Sequence, residues 1–310
     1  MSSAHSAKPP RYHQLDAMRG LGCLAVMWIH GGWLLGQMSP AGRDVIAATH
    51  SNWWLMHTGH AAVEMFFAMS AFLLWRPFTL VAQTGEGRES VGGYALRRVA
   101  RIVPGFWIAL VLIALWHNTP DVLTMPKGLQ YFLFGQNLTN ATTLGGIGPA
   151  WTLAVEAQFY VLLAVVAFAR PRGGRSIKFD LAFAGGMALL AAVWRVGVIG
   201  PTDHLTRDNL QLVFSLPTHA DSFAVGILLA TLSVRSELRP DARWAKLLRQ
   251  NATWVFLGGM ALFLIGIRIL HLDSPFAIGR DQWLGRAWLW VAVATLLIAP
   301  FAFAPDGKGI

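Results

Sequence analysis

Arg19 and His30 stand eleven residues apart in the apolar stretch from Leu15 to Leu35. At 3.6 residues per turn that is about three whole turns, so both side chains leave one helix face, roughly 16 Å apart along the axis. Ionisable groups inside a membrane helix normally face protein or a watery cavity, which makes them functional candidates suited to proton transfer. The bland alternative is an Arg19 that snorkels to the headgroups and a His30 that merely packs. A second group is Arg97, Arg98 and Arg101, within Tyr94 to Trp107. On a helix they form one cationic face, which could hold the phosphates of a nucleotide-bearing donor or anchor the segment to anionic lipid. Glu64 and Ser70 are the polar members of the apolar run Ala62 to Leu74. Glu156 and Tyr160 lie one turn apart on one face, with Gln158 off it. A carboxylate buried in lipid must neutralise or pair, so Glu156 needs a partner, unless it is only a polar clasp between helices. His219 and Asp221 open a further apolar run, either as a reactive pair or as residues at the mouth of a span. His117, His204 and His271 have no metal-ligand spacing, and no metal site is expected. No Gly-rich nucleotide loop, Gly-x-Ser-x-Gly elbow or His-Glu-x-x-His motif occurs.

The elements that must position these groups are membrane helices. Of 310 residues, 55% are hydrophobic and only 13% charged, with a mean hydropathy of +0.47. Soluble domains carry about a quarter charged residues, so the composition is that of a polytopic membrane protein. Fourteen Trp suit the membrane–water interface. The net charge of +9 sits in short loops, which reads as topology and lipid contact and not as nucleic-acid binding. With Cys23 the single cysteine, no internal disulfide is possible. The N-terminus has no cleavable signal pattern, because the first apolar run is too long and holds Arg19. About eight spans are expected, near 15–36, 54–75, 102–117, 150–169, 179–199, 212–234, 252–271 and 284–303, in one all-α bundle without a second soluble domain. The third is short unless it begins in the basic segment before it. Leu129 to Phe134 is too short to cross and belongs at the interface or in a re-entrant turn.

Loop charge sets the orientation. Basic residues are in excess in the N-terminal tail and in every second loop: Arg76, Arg88, Arg97, Arg98 and Arg101, then Arg170, Arg172, Arg175 and Lys178, then Arg235 to Arg249. The intervening loops are nearly balanced, so both termini are expected in the cytoplasm.

Leu15-Asp-Ala-Met-Arg-Gly20 followed by His30 resembles the opening signature of the membrane-bound acyltransferase 3 family, integral membrane enzymes that O-acylate sugars and glycoconjugates. Val63 to Leu73 is similar to that family's second-span motif, Arg97 to Pro104 to its basic segment, and Pro149 to Tyr160, with Trp151, to its fourth-span motif. His219 to Ala230 is a weaker fifth match. Ala71 stands where the family usually has Gly, Glu64 where it often has Asp, and Thr152 where Ser is common. The family usually has about ten spans, so residues 1–310 are expected to form a single acyltransferase domain lacking the last ones.

The resemblance implies an acyl-CoA donor, acetyl-CoA by family habit, used from the cytoplasm. Arg97, Arg98, Arg101 and Arg19 would hold its phosphates, with Asp16 orienting Arg19. His30 would serve as general base on the acceptor hydroxyl or carry the acyl group itself, oriented by Glu156 or Glu64. Trp151, Tyr160, Ser70 and Asp221 would support this site. The acceptor would be a hydroxyl of a glycan or lipid-linked sugar, and the location a bacterial inner membrane. A proton-coupled transporter would use the same His, Glu and Arg residues, although no inverted repeat is visible. A purely structural membrane subunit is the third reading.

Overall fold

The computed structural model describes residues 12–38, 53–85, 90–117, 119–171, 176–202, 209–269 and 280–303. Among these residues the regular elements are all helical, as the composition requires. They are α1 (His13–Met38), α2 (Trp53–Thr84), α3 (Val91–Trp116), α4 (Lys127–Phe132), α5 (Trp151–Ala169), α6 (Ser176–Val193), α7 (Leu210–Val213), α8 (Ala220–Leu238), α9 (Arg243–Gln250), α10 (Ala252–Ile269) and α11 (Arg280–Phe303).

Six described stretches are long and apolar enough to cross a bilayer: Ala61–Thr84, Val91–Trp116, Gly148–Ala169, Ile177–Ile199, Leu210–Leu238 and Trp283–Phe303. A seventh results if α9 and α10, bent by 62° at their junction, count as one. The eight expected spans are therefore not all met among the described residues. The first of them, α1, is helical over 26 residues, but Asp16, Arg19 and His30 dilute its apolar content. The third does begin in the basic segment. Ser90 caps α3 by accepting from the Gly93 amide at 3.0 Å, and the helix runs on for 26 residues, or about 39 Å. That exceeds ~30 Å of hydrocarbon, so its first turns can project. Of the arginines counted as loop residues, Arg76 lies inside α2 and Arg170 directly follows α5, and both are buried. The apolar patch at 129–134 begins in the short helix α4 and ends just past it, too short to cross.

Two compact units emerge. The first gathers residues up to Met69, Leu232–Ile269 and from Leu289 onward. In it α10 and α11 meet through small residues, since a Cβ on Gly259 would lie 2.9 Å from Leu296. Such close approach is how helices associate without a hydrophobic drive from water. Phe256 meets Phe301, and Phe263 meets Trp290, with ring centroids 5.6 and 5.7 Å apart.

The second unit, Ser70–Thr231 with Leu270–Trp288, carries the polar framework. Phe106, Leu110, Ala114, Val122, Tyr131 and Ala150 form a core between α3 and the segment that follows it. The turn back towards α5 passes through Gly146, at φ +62° and tight against Leu110, a conformation that suits glycine. Further along, Arg170 is held bidentately by Asp180, its Nε donating at 2.8 Å. Thr79 and Thr231 donate to the same carboxylate at 3.1 and 3.3 Å, Arg170 also donates to the Phe78 carbonyl, and its guanidinium lies 5.2 Å from the Trp75 ring. One carboxylate, 0% exposed, thus ties α2, α5, α6 and α8 together. Breaking a buried pair leaves an uncompensated charge, at a cost of about 3–5 kcal/mol. Asp180→Asn should therefore lower the melting temperature of the purified protein sharply, and Asp180→Glu less so; equal melting of wild type and Asp180→Asn would show the clasp to be dispensable.

Candidate active site

Glu156 finds its partners within the second unit. It lies on the second turn of α5, and the Ser70 hydroxyl of α2 donates to its Oε1. One helical turn on, the buried Tyr160 hydroxyl is hydrogen-bonded to Glu156 and to Ser70. Arg98 of α3 reaches the same place, its guanidinium 5.9 Å from the centroid of the Tyr160 ring. A carboxylate, two hydroxyls and a guanidinium thus converge from three helices. The carboxylate accepts from neutral donors, and the guanidinium lies over the ring of one of them, an arrangement able to hold or pass a proton.

The three arginines do not act as one face. Arg97 and Arg101 are exposed on α3, whereas Arg98 is half-buried and turned to Tyr160. Their i, i+3 and i, i+4 spacing spreads them over an arc wide enough for one member to face the interior. The inward arginine links the basic start of α3 to the Glu156 cluster.

Above Tyr160 the start of α5 is fixed by amides. Gln158, off the Glu156 face as its spacing predicts, donates to Asn137 Oδ1 at 2.6 Å, and Asn137 donates to the Phe214 carbonyl at 3.0 Å. The Thr142 hydroxyl lies within hydrogen-bond distance of Gln130 Oε1, at 2.7 Å, and of the Gln136 carbonyl, at 2.8 Å, which stiffens the loop that carries Asn137. In the core beneath this loop, Tyr131 has its phenol pushed above the ordinary value by burial and, secondarily, by Asp121. It therefore stays a hydrogen-bond donor through neutral pH.

His219 and Asp221 are structured residues and not loose ones at the mouth of a span. Asp221 takes both terminal nitrogens of Arg195, the longer bond being 2.9 Å, and His219 stacks on Trp151. Arg195 is 0% exposed and sits in a π-helical turn, Trp194–Ile199, that continues α6. Such turns concentrate at functional sites. Arg195 and the Arg170–Asp180 pair were not singled out from sequence. Their signal was available: each is a charge within or next to an apolar span, where an unpaired charge is unaffordable.

In the first unit, Asp16 and Arg19 form the i, i+3 ion pair their spacing predicts, at 3.6 Å. His30 is exposed on α1, and Glu64 is buried on α2. Among the described residues no group of three His, Cys, Asp or Glu side chains could hold a metal ion.

The profile of the family described as "Acyltransferase domain" matches residues 12–309. The chain is similar to the peptidoglycan O-acetyltransferase OatA of Listeria monocytogenes, 23% identical over 211 residues, covering 63% of this chain and 33% of that one. It is 22% identical over 275 residues to the O-acetyltransferase OatA of Staphylococcus aureus, covering 83% and 42%. A putative membrane-bound transacylase, BcsY, of Komagataeibacter xylinus is 21% identical over 291 residues, covering 88% and 61%. The chain thus spans between a third and three-fifths of the length of these relatives. No solved structure matches it.

Proposed function

Because the chain belongs to the acyltransferase domain family, we propose that it transfers an acyl group, acetyl by preference, from cytoplasmic acyl-CoA to a hydroxyl of a glycan or lipid-linked sugar. The observation that carries this reading is the family match over residues 12–309, and the buried Ser70–Glu156–Tyr160–Arg98 cluster gives it a chemical centre. Arg97 and Arg101, exposed at the start of α3, receive the donor phosphates, and Arg98 leads inward from them. Arg19, held by Asp16, assists from α1. His30 accepts the proton of the acceptor hydroxyl as the new carbon–oxygen bond forms. The carbon–sulfur bond of the thioester then breaks, and the departing thiolate takes that proton. A variant of the same chemistry has His30 carry the acyl group between donor and acceptor. Glu156 or Glu64 steadies the imidazolium. No metal is called for.

The topology belongs to the same proposal: eight spans with both termini in the cytoplasm of a bacterial inner membrane, so that donor and acceptor arrive from opposite sides. A proton-coupled carrier is disfavoured by the relatives, which are named as acetyltransferases or a transacylase.

Sealed vesicles test donor and sidedness together. Labelled acetyl-CoA supplied outside inside-out vesicles should leave label on glycan, and right-side-out vesicles should take up none. Changing Arg97, Arg98 and Arg101 together to Gln should raise the acyl-CoA concentration needed for half-maximal transfer by about tenfold or more, in keeping with lost phosphate contacts. Label transfer from right-side-out vesicles alone would reverse the orientation, and unchanged donor dependence would return the arginines to lipid anchoring.

A further inference from the structure

The chain turns back on itself between α8 and α9, and the turn is basic. Arg235, Arg239, Arg243, Lys246 and Arg249 stand there against Glu237 and Asp241. Arg249 Nη2 donates to the Pro240 carbonyl at 2.5 Å, and Lys246 meets Asp241 at 3.1 Å, so the turn is fastened to α9. The helix itself is two-sided. Trp244, Ala245, Leu247 and Leu248 share one arc around its axis, and Arg243, Lys246, Arg249 and Gln250 the other. Ala245 is buried, and Trp244 lies edge-on to Phe303 with ring centroids 6.3 Å apart, which holds the apolar arc against the protein. Leu247, at the rim of that arc and one turn after Arg243, is 58% exposed, and Arg243 and Lys246 are exposed as well.

The second observation comes from α10. Asn251 closes α9 and opens α10: its amide and its side chain both donate to the Leu247 carbonyl, and its own carbonyl accepts from the Val255 amide. At this junction the axis turns by 62°, so a span that follows the bilayer normal leaves α9 within about 30° of the membrane plane. Gly259 and Phe263 hold one face of α10 against α11. The opposite face carries Trp254, Leu257, Leu264 and Ile265, all exposed, with Trp254 73% exposed one turn after its start. Indole at that level suits the boundary between headgroups and chains.

A basic turn bathed in water has no use for an exposed leucine or for an apolar track leading away from it. An anionic phospholipid uses all three: cations for its phosphate, a leucine at the chain boundary, and a helix face for its chains. A soluble nucleotide would take the cations and leave Leu247 and Trp254 in water. We propose that α9 is an in-plane docking surface for an anionic phospholipid, with Arg243 and Lys246 on the headgroup and the acyl chains along the exposed face of α10. The surface depends neither on acyl transfer nor on the sidedness proposed above.

Site-directed quenching tests it in the full chain. Cys23→Ser with Leu257→Cys leaves one thiol, on the exposed face of α10, to carry a bimane fluorophore. The labelled protein goes into nanodiscs of equal parts phosphatidylglycerol and phosphatidylcholine, with brominated chains on one lipid or the other. Brominated phosphatidylglycerol should quench more, by an amount equivalent to about a fivefold preference or more, which is what ~1 kcal/mol per exposed cation gives. Arg243→Gln together with Lys246→Gln should bring the two lipids to parity, whereas Arg243→Lys, which keeps the charge, should retain the preference. Excess coenzyme A should not change it. Equal quenching by the two lipids in the otherwise wild-type chain overturns the surface, whether or not the double variant inserts. So does a preference that survives loss of both cations, and so does one that coenzyme A abolishes, which would hand these cations to a nucleotide.

Discussion

His30→Ala should abolish acyl transfer while the protein still inserts and accumulates. His30 is the imidazole on α1 that is assigned to the site, and its side chain is exposed. From Met18 it stands about 18 Å along the helix, so in the proposed orientation it lies roughly 12 Å below the outer edge of a ~30 Å core. Glu64 and Glu156, ten and six residues into the expected spans 54–75 and 150–169 that run the other way, fall roughly 15 and 9 Å below that edge. General-base catalysis contributes about 10²–10⁴ in rate, so label transfer by His30→Ala in vesicles with matched protein should fall by at least the lower figure. Retention of more than a tenth of the wild-type rate would remove His30 from the chemistry.

Glu156→Gln should be the next most damaging change. The substitution keeps the shape of the side chain but removes the charge that the Ser70 and Tyr160 hydroxyls meet, with the Arg98 guanidinium over the Tyr160 ring. We expect about a hundredfold loss of transfer, with smaller losses for Ser70→Ala and Tyr160→Phe, each of which removes one hydroxyl while leaving the carboxylate. If Glu156 acts by steadying His30, the pair is non-additive: His30→Gln with Glu156→Gln should be no slower than the slower single variant. Losses that multiply would separate the two residues and leave Glu156 a structural clasp between helices.

The helical class and the pairing of Glu156 with Tyr160 were legible in the sequence because both follow from period and polarity. A carboxylate and a phenol four residues apart on an apolar helix share a face whatever surrounds them. The same holds for Asp16 and Arg19, and for Gln158, whose place off that face takes it to Asn137. Partners distant in sequence were not legible. Ser70 stands 86 residues before Glu156, and nothing local announces that α2 and α5 cross there. Arg98 looked equivalent to Arg97 and Arg101, since charge spacing fixes an arc and tertiary packing alone decides which member turns inward. The burial of Arg170 was missed for a related reason. Loop charges were counted by proximity to span ends, and a cation that ends a helix in a buried pair looks, in sequence, like one bathed in solvent.

That pair also bears on how the chain enters the bilayer. Arg170 closes α5 and Asp180 lies in the first turns of α6, ten residues later. Each charge alone raises the insertion cost of its own segment, by up to ~2.5–3.5 kcal/mol at a helix centre. Brought together, they cross into a low-dielectric medium as a neutral dipole. During synthesis α5 should therefore wait for α6 and leave the translocon with it as a hairpin, so that pausing the ribosome between the two would hold α5 at the membrane surface until Asp180 emerges.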